Sequence, residues 1–177
     1  SALRGERAPV YVTLGSSGDV NVLPNVVRAL GRLPVWVLLA TAERAELADV
    51  PPNVLIADYV PGDEAARHAA FVITNGGSSS GYQALAEGTP VLGIPFNLDQ
   101  YLAMDAIERA GAGLLLRSGS LTEQKVEDAV RNLLSSARYR QAAVHVAAAM
   151  KQLKFAELFR NFVQRATAQG APRSRVV

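Results

Sequence analysis

Apolar residues along this chain fall into two rhythms that alternate nearly from end to end. Short β-branched and aliphatic runs at Val10 to Leu14, Val35 to Ala40, Val54 to Ala57, Phe71 to Thr74, Val91 to Ile94 and Gly113 to Leu116 are almost continuously hydrophobic. A half-exposed strand alternates polar and apolar positions, so these unbroken runs predict strands covered on both faces. Between them the pattern predicts helices at 21–31, 42–48, 63–69, 78–87 and 99–111. That succession predicts an α/β fold, a Rossmann-like doubly wound parallel sheet of about six strands.

After the last strand the pattern is helical only. Ser120 with Glu123 reads as a capping box, and Val126, Ala129, Val130, Leu133 and Leu134 then recur at i, i+3, i+4, i+7 and i+8. A helix of about three turns laid on the sheet is expected there. Tyr139 to Met150 is alanine-rich and helical by propensity. A last helix gathers Phe155, Leu158, Phe159, Phe162 and Val163 on one stripe, which calls for a partner surface. With no repeat, low-complexity tract or linker, residues 1–177 read as one domain with C-terminal helices.

Composition narrows the function classes. A chain of 177 residues that is 49% hydrophobic and 19% charged has material for a buried core and is not disordered. Its 18 Lys and Arg against 16 acidic residues leave a net charge of +2, part of it in the Arg173-Ser174-Arg175 tail, and give no electrostatic case for nucleic acid. The absence of cysteine excludes disulfides, thiolate metal sites and a cysteine nucleophile. His68 and His145 are the only histidines and lie far apart, which argues against a metal cluster or a Ser-His triad; both read as surface or structural residues. Nothing approaches about 18 continuous apolar residues, so no membrane span is expected and a cytoplasmic location is the default.

The candidate chemistry lies where parallel sheets bind ligands, beyond the carboxyl ends of their strands. Thr74-Asn75-Gly76-Gly77-Ser78-Ser79-Ser80-Gly81 leads from a strand into a helix, so nearly bare backbone N–H groups face outward at a helix N-terminus and suit an anion. It is neither a P-loop nor G-x-G-x-x-G, which disfavours a Walker NTPase or an ordinary dinucleotide fold. Gly15-Ser16-Ser17-Gly18-Asp19 is a second such turn, Asp58-Tyr59-Val60-Pro61-Gly62 holds an aromatic on a rigid turn, and Asp99-Gln100 opens a helix. Two phosphate-suited turns, an aromatic platform and a carboxylate-amide pair fit a nucleoside diphosphate with a polar appendage such as a sugar. Each also has a plainer reading: Ser16 and Ser17 as turn formers, Tyr59 as packing, and Asp19 and Asp99 as helix N-caps.

The ordered set of Gly-Ser turn, Tyr-x-Pro, Asn-Gly-Gly-x-x-Ser-x-x-Gln-Ala-Leu-x-x-Gly-Thr-Pro-Val-x-x-x-Pro, Asp-Gln and Gly-Ala-Gly-Leu resembles the C-terminal donor-binding domain of GT-B glycosyltransferases. Within them it is most similar to the UDP-glycosyltransferase superfamily that includes bacterial macrolide and natural-product enzymes, over residues 8–165. The resemblance implies the donor half of an inverting glycosyltransferase acting on a UDP- or dTDP-sugar, with no metal or other cofactor and no catalytic base in this chain. The acceptor pocket and base would belong to an N-terminal domain or partner subunit, and a non-catalytic nucleotide-sugar-binding or regulatory subunit is the alternative. It implies a diphosphate held by Gly76, Gly77, Ser78, Ser79 and Ser80, with Gly15, Ser16 and Ser17 assisting. Tyr59 and the Val60 backbone would receive the nucleobase, Gln83 the ribose hydroxyls, and Asp99 and Gln100 the sugar. Three positions depart from the usual pattern: Asn75 stands in place of histidine, Gly62 in place of glutamine, and Gln83 in place of glutamate.

Overall fold

A computed structural model describes residues 7–168, and the Arg173-Ser174-Arg175 tail lies outside them. Six strands, β1 (Ala8–Thr13), β2 (Val35–Ala40), β3 (Val54–Ala57), β4 (Phe71–Thr74), β5 (Val91–Gly93) and β6 (Gly113–Leu115), form one parallel sheet in the order β3-β2-β1-β4-β5-β6. The order reverses between β1 and β4, and both strands end in register at Thr13 and Thr74. Among the described residues seven α-helices accompany it: α1 (Leu23–Gly31), α2 (Gly62–His68), α3 (Ser78–Ala86), α4 (Leu98–Arg109), α5 (Glu123–Ser135), α6 (Arg138–Gln152) and α7 (Phe155–Ala168).

Strand pleating sends alternate residues to opposite faces, and each face has its own core. Val10, Val12, Val35, Val37, Leu39, Phe71, Ile73 and Leu92 pack with Leu23, Val26 and Leu30 of α1 and with Val126, Val130 and Leu133 of α5. Tyr11, Ala40, Val72 and Val91 pack on the other side with Ala66 of α2, Leu85 of α3, Met104 and Ile107 of α4, and Ala143 of α6. The expectation of strands covered on both faces therefore holds at the centre of the sheet. On the α2 side it fails toward the β3 edge, where Trp36 and Leu55 are 53% and 67% exposed.

That exposure has a local cause. The segment 42–48 was expected to be a helix and is not one. Instead Thr41 to Arg44 make a tight turn, closed by Arg44 N–H to Thr41 O at 3.1 Å, with Ala42 and Glu43 both left-handed at φ 54° and 57°. Irregular chain, bent at Ala48 and Asp49, then runs to Pro51 and Pro52, and of its residues Ala45 and Leu47 pack against the core. A helix there would have had too little apolar surface to bury to offset its ordering.

Smaller corrections have equally local causes. The N-cap of α5 is Thr122, whose side chain accepts from Lys125 N–H at 3.3 Å, while Ser120 sits in a 3-10 turn and receives the Lys125 ammonium. Leu134 lies at the rim of the stripe and is 37% exposed. Three sets of polar contacts tie helices to one another and to the loops that flank the strands. Asn53 donates to Leu30 O and Val35 O, Arg140 of α6 donates to Ala69 O, Ala70 O, Gly88 O and Thr89 Oγ1, and Glu123 pairs with Arg28 and Arg32 across α1 and α5. On α7, Leu158, Phe159 and Phe162 are more than half exposed; the Phe155 side chain lies outside what is described. Among the described residues, no helix is long and apolar enough to cross a membrane.

Candidate diphosphate site at the switch point

The loops after β1 and β4 meet where the strand order reverses, and one side chain joins them. Asn75 is only 3% exposed. Its Oδ1 accepts from Gly77 N–H at 3.0 Å and from Thr74 Oγ1 at 3.2 Å, and its Nδ2 donates to Ser17 Oγ at 3.2 Å. A carboxamide suits this position because it accepts at one end and donates at the other. Asn75 is thus an internal brace of the site, with one N–H of its amide donated to Ser17 and its oxygen doubly occupied.

Glycine sets the shape of both loops. At Gly76, φ is +76° and an added Cβ would stand 2.5 Å from Met104 Cγ. At Gly18, an added Cβ would stand 2.4 Å from the Leu14 carbonyl oxygen, the atom that accepts Gly18 N–H at 3.0 Å. Gly77 is the N-cap of α3 and brings no capping side chain. The first-turn amides of Ser78, Ser79 and Ser80 are those that helical geometry leaves without intrahelical acceptors, and they carry the positive end of the α3 dipole.

The residues that the sequence nominated separate into two groups. Gly77 N–H is occupied by Asn75, and the Ser80 hydroxyl bonds Thr74 Oγ1 and, at 3.4 Å, Gly77 O, so these two shape the loop. Ser16, Ser78 and Ser79 are exposed. The Ser17 hydroxyl accepts from Asn75 Nδ2 and, at 3.3 Å, from Gln100 Nε2, so both its lone pairs are taken and its own proton is free to be donated. A hydroxyl fixed in this way is a donor for an anion.

Gln100 does not stand as a free polar partner of Asp99. It is 2% exposed, its Oε1 accepts from Phe96 N–H at 2.8 Å, and its Nε2 reaches Ser17 Oγ and Ser17 O. Its carboxamide pins α4 to the β1 loop. Asp99 is exposed on the first turn of α4, whose N-cap is Asn97, accepting from Gln100 N–H at 3.0 Å. The N-cap reading of Asp99 therefore fails and its carboxylate faces solvent. Asp19 caps the 3-10 turn Val20–Val22 that precedes α1, its side chain accepting from Asn21 N–H at 3.0 Å, whereas α1 itself has Val22 at its N-cap and no side-chain cap.

Tyr59 is 83% exposed and Val60 half-buried at the turn leading into α2. The exposed Gln83 reaches the same place: its Oε1 lies 2.5 Å from where a Cβ on Gly62 would stand. Glycine at 62 thus leaves room for Gln83 beside the Tyr59 turn. His68 is exposed and pairs with Glu64 at 3.1 Å, and His145 is exposed on α6. A separate recess of about 590 Å³ opens on the bare sheet face among Tyr11, Trp36, Leu38, Leu55 and Val60, where burial raises the Tyr11 phenol pKa. Its lining is mainly apolar, with Asn53, Glu64 and His68 among its polar members.

Sequence reasoning missed Arg44, which donates to Gly15 O at 2.8 Å and Gly18 O at 3.0 Å. No motif marked it, because it lies in the stretch read as a helix.

Two small-residue loops braced together at the reversal of a parallel sheet define an α/β domain of the kind that binds ligands beyond its strand ends. The chain belongs to the family described as Erythromycin biosynthesis protein CIII-like, C-terminal domain, which matches residues 41–159. It is 51% identical over 148 residues to a PGL/p-HBAD biosynthesis glycosyltransferase of Mycobacterium tuberculosis, covering 84% of this chain and 35% of that protein. It is also 51% identical over 146 residues to a PGL/p-HBAD biosynthesis rhamnosyltransferase of Mycobacterium bovis, covering 82% and 32%. The chain thus spans about a third of the length of these curated relatives. The crystal structure of the glycosyltransferase VinC in complex with dTDP superposes with a TM-score of 0.80 at 27% identity, over 92% of this chain and 42% of that one. The resemblance to a GT-B C-terminal domain drawn from the motifs stands in both fold and family.

Proposed function

We propose that this chain is the donor-binding half of an inverting glycosyltransferase that uses a UDP- or dTDP-sugar. The observation that carries the reading is the Asn75–Ser17 brace, which holds two amide-rich loops together at the switch point with the Ser17 proton and the first-turn amides of α3 left to donate. In this reading the diphosphate lies on Ser78, Ser79 and the β1 loop. Tyr59 and the Val60 backbone receive the base, and Gln83, beside them, receives the ribose. Asp99 accepts from sugar hydroxyls, while Asn75, Gly77, Ser80 and Gln100 shape the site from beneath.

The chemistry follows from what this half supplies. An acceptor oxygen attacks the anomeric carbon opposite the diphosphate, the bond to the diphosphate oxygen breaks, and negative charge grows on the leaving group. Fixed amides at the positive end of α3 and the Ser17 hydroxyl stabilise that charge without reorganising. The acceptor and the base that takes its proton belong, in this reading, to an N-terminal domain or partner subunit, since neither His68 nor His145 follows a strand end. That the relatives include a rhamnosyltransferase supports a deoxysugar donor, and the dTDP complex of VinC supports a thymidine nucleotide.

Calorimetry with dTDP, UDP and sugar 1-phosphates tests the reading. The nucleoside diphosphates are expected to bind more tightly than the sugar phosphates, and the reverse order contradicts it. The isolated chain is also expected to hydrolyse or transfer no sugar over an acceptor panel until the other half is added.

A further inference from the structure

The two loops of the candidate site, Gly15–Asp19 and Asn75–Ser80, contain no basic side chain, and Asn75 is neutral. The one acid among them, Asp19, is engaged with Asn21 N–H and Nδ2. A diphosphate would thus meet amides and hydroxyls only, unless a cation reaches the loops from elsewhere. Arg44 does, donating through its two terminal nitrogens to Gly15 O and Gly18 O, which flank Ser16 and Ser17 in the β1 loop. Among the described residues it forms no ion pair.

The backbone that carries it is unusual. Ala42 and Glu43 are consecutive non-glycine residues in the left-handed region, a conformation that L residues adopt at a cost. Such strain persists where surrounding contacts impose it and it often marks function. Here it turns the chain after β2 so that Arg44 lies along the β1 loop. Binding both carbonyls fixes the direction of the loop's peptide planes, and a guanidinium spends only two of its five N–H groups in doing so.

Resting on the donor-binding reading above, we propose that Arg44 is a positioning residue for the diphosphate. It clamps Gly15 O and Gly18 O so that the β1 loop holds Ser17 in donor geometry, and it supplies the positive charge that the loops lack. Lysine keeps the charge but not the planar fork, and glutamine keeps a hydrogen bond but not the charge.

The test measures dTDP and thymidine, with UDP and uridine alongside, on the parent chain and on Arg44→Gln and Arg44→Lys, by calorimetry at low and high salt. Arg44→Gln is expected to bind the diphosphates about tenfold or more weakly with a shallower salt dependence, to bind the nucleosides as the parent does, and to stay cooperatively folded with a urea midpoint only modestly below the parent's. Arg44→Lys is expected to recover part of the loss. Unchanged diphosphate affinity in Arg44→Gln, or a parallel loss of nucleoside and diphosphate, overturns the proposal while leaving the donor-binding reading intact. A parent chain that binds neither diphosphate overturns both.

Discussion

Asn75 separates the stability of the site from its chemistry. Asn75→Ala removes the acceptor of Gly77 N–H, one of the two partners of Thr74 Oγ1, and the donor to Ser17 Oγ. Side-chain bonds of this kind are worth about 0.5–1.5 kcal/mol each and an orphaned buried amide costs about 1–3 kcal/mol, so a loss of about 2–4 kcal/mol is expected. Against a domain stability of about 5–15 kcal/mol, the variant still folds. Asn75→Asp behaves differently. One carboxylate oxygen keeps both acceptor contacts and the Ser17 hydroxyl can turn to donate to the other, so most of the folding free energy is retained.

That turn removes the Ser17 proton from the ligand and puts a negative charge two hydrogen bonds from the phosphate. Adding a phosphate contact beyond the 3.2 Å Asn75–Ser17 bond puts the two charges about 5–7 Å apart. At an effective dielectric of about 20, the repulsion is about 2–3 kcal/mol, or roughly 30- to 150-fold in affinity. Urea unfolding and dTDP calorimetry on the two variants read the two effects. Asn75→Asp binding dTDP as tightly as the parent would refute the placement of the phosphates against Ser17.

Three further outcomes follow from the packing. Gly76→Ala forces a Cβ onto Met104 at a left-handed backbone position and is expected to lower stability by about 2–4 kcal/mol in urea unfolding, with nucleotide affinity falling as the loop shifts. Arg140→Met abandons the carbonyls of Ala69, Ala70 and Gly88 and the Thr89 hydroxyl, so about 2–4 kcal/mol of stability is expected to go while dTDP binding to the folded variant is unchanged. The guanidinium groups of Arg28 and Arg32 lower the Glu123 pKa, and that of Arg67 lowers the Glu87 pKa. Their contribution is complete above the unfolded carboxylate pKa and is lost as pH falls through the lowered folded values. Urea midpoints across that acid range should therefore fall less steeply in Glu123→Gln than in the parent.

Much of the fold was legible because strand burial and helix amphipathicity leave periodic traces. All six expected strands and seven of the eight expected helices appear near their expected places among the described residues, the exception being 42–48, and the small-residue loops identify the switch point. The misreadings share one cause, which is that local pattern carries no record of tertiary partners. The stretch 42–48 is rich in helix formers, yet its course is set by the Arg44 contacts with a loop far off in sequence and by Pro51 and Pro52 beyond it. Thr122 and Ser120 are both plausible caps two residues apart, and only the path of the chain decides between them. Asn75 and Gln100 read as polar residues offered to a ligand, and the structure shows in addition that both are buried and bond the surrounding loops. Polar type alone does not tell a brace from a contact.

An amide-resolved NMR titration of the isotope-labelled chain with dTDP reads the placement of the diphosphate residue by residue. The largest shifts are expected on Ser16 to Gly18 and Gly76 to Ser80, with smaller ones at Val60 and Gln83, and thymidine alone is expected to move only the latter pair. Shifts centred instead on Trp36, Leu38 and Leu55, or a spectrum that dTDP leaves unchanged, would contradict it.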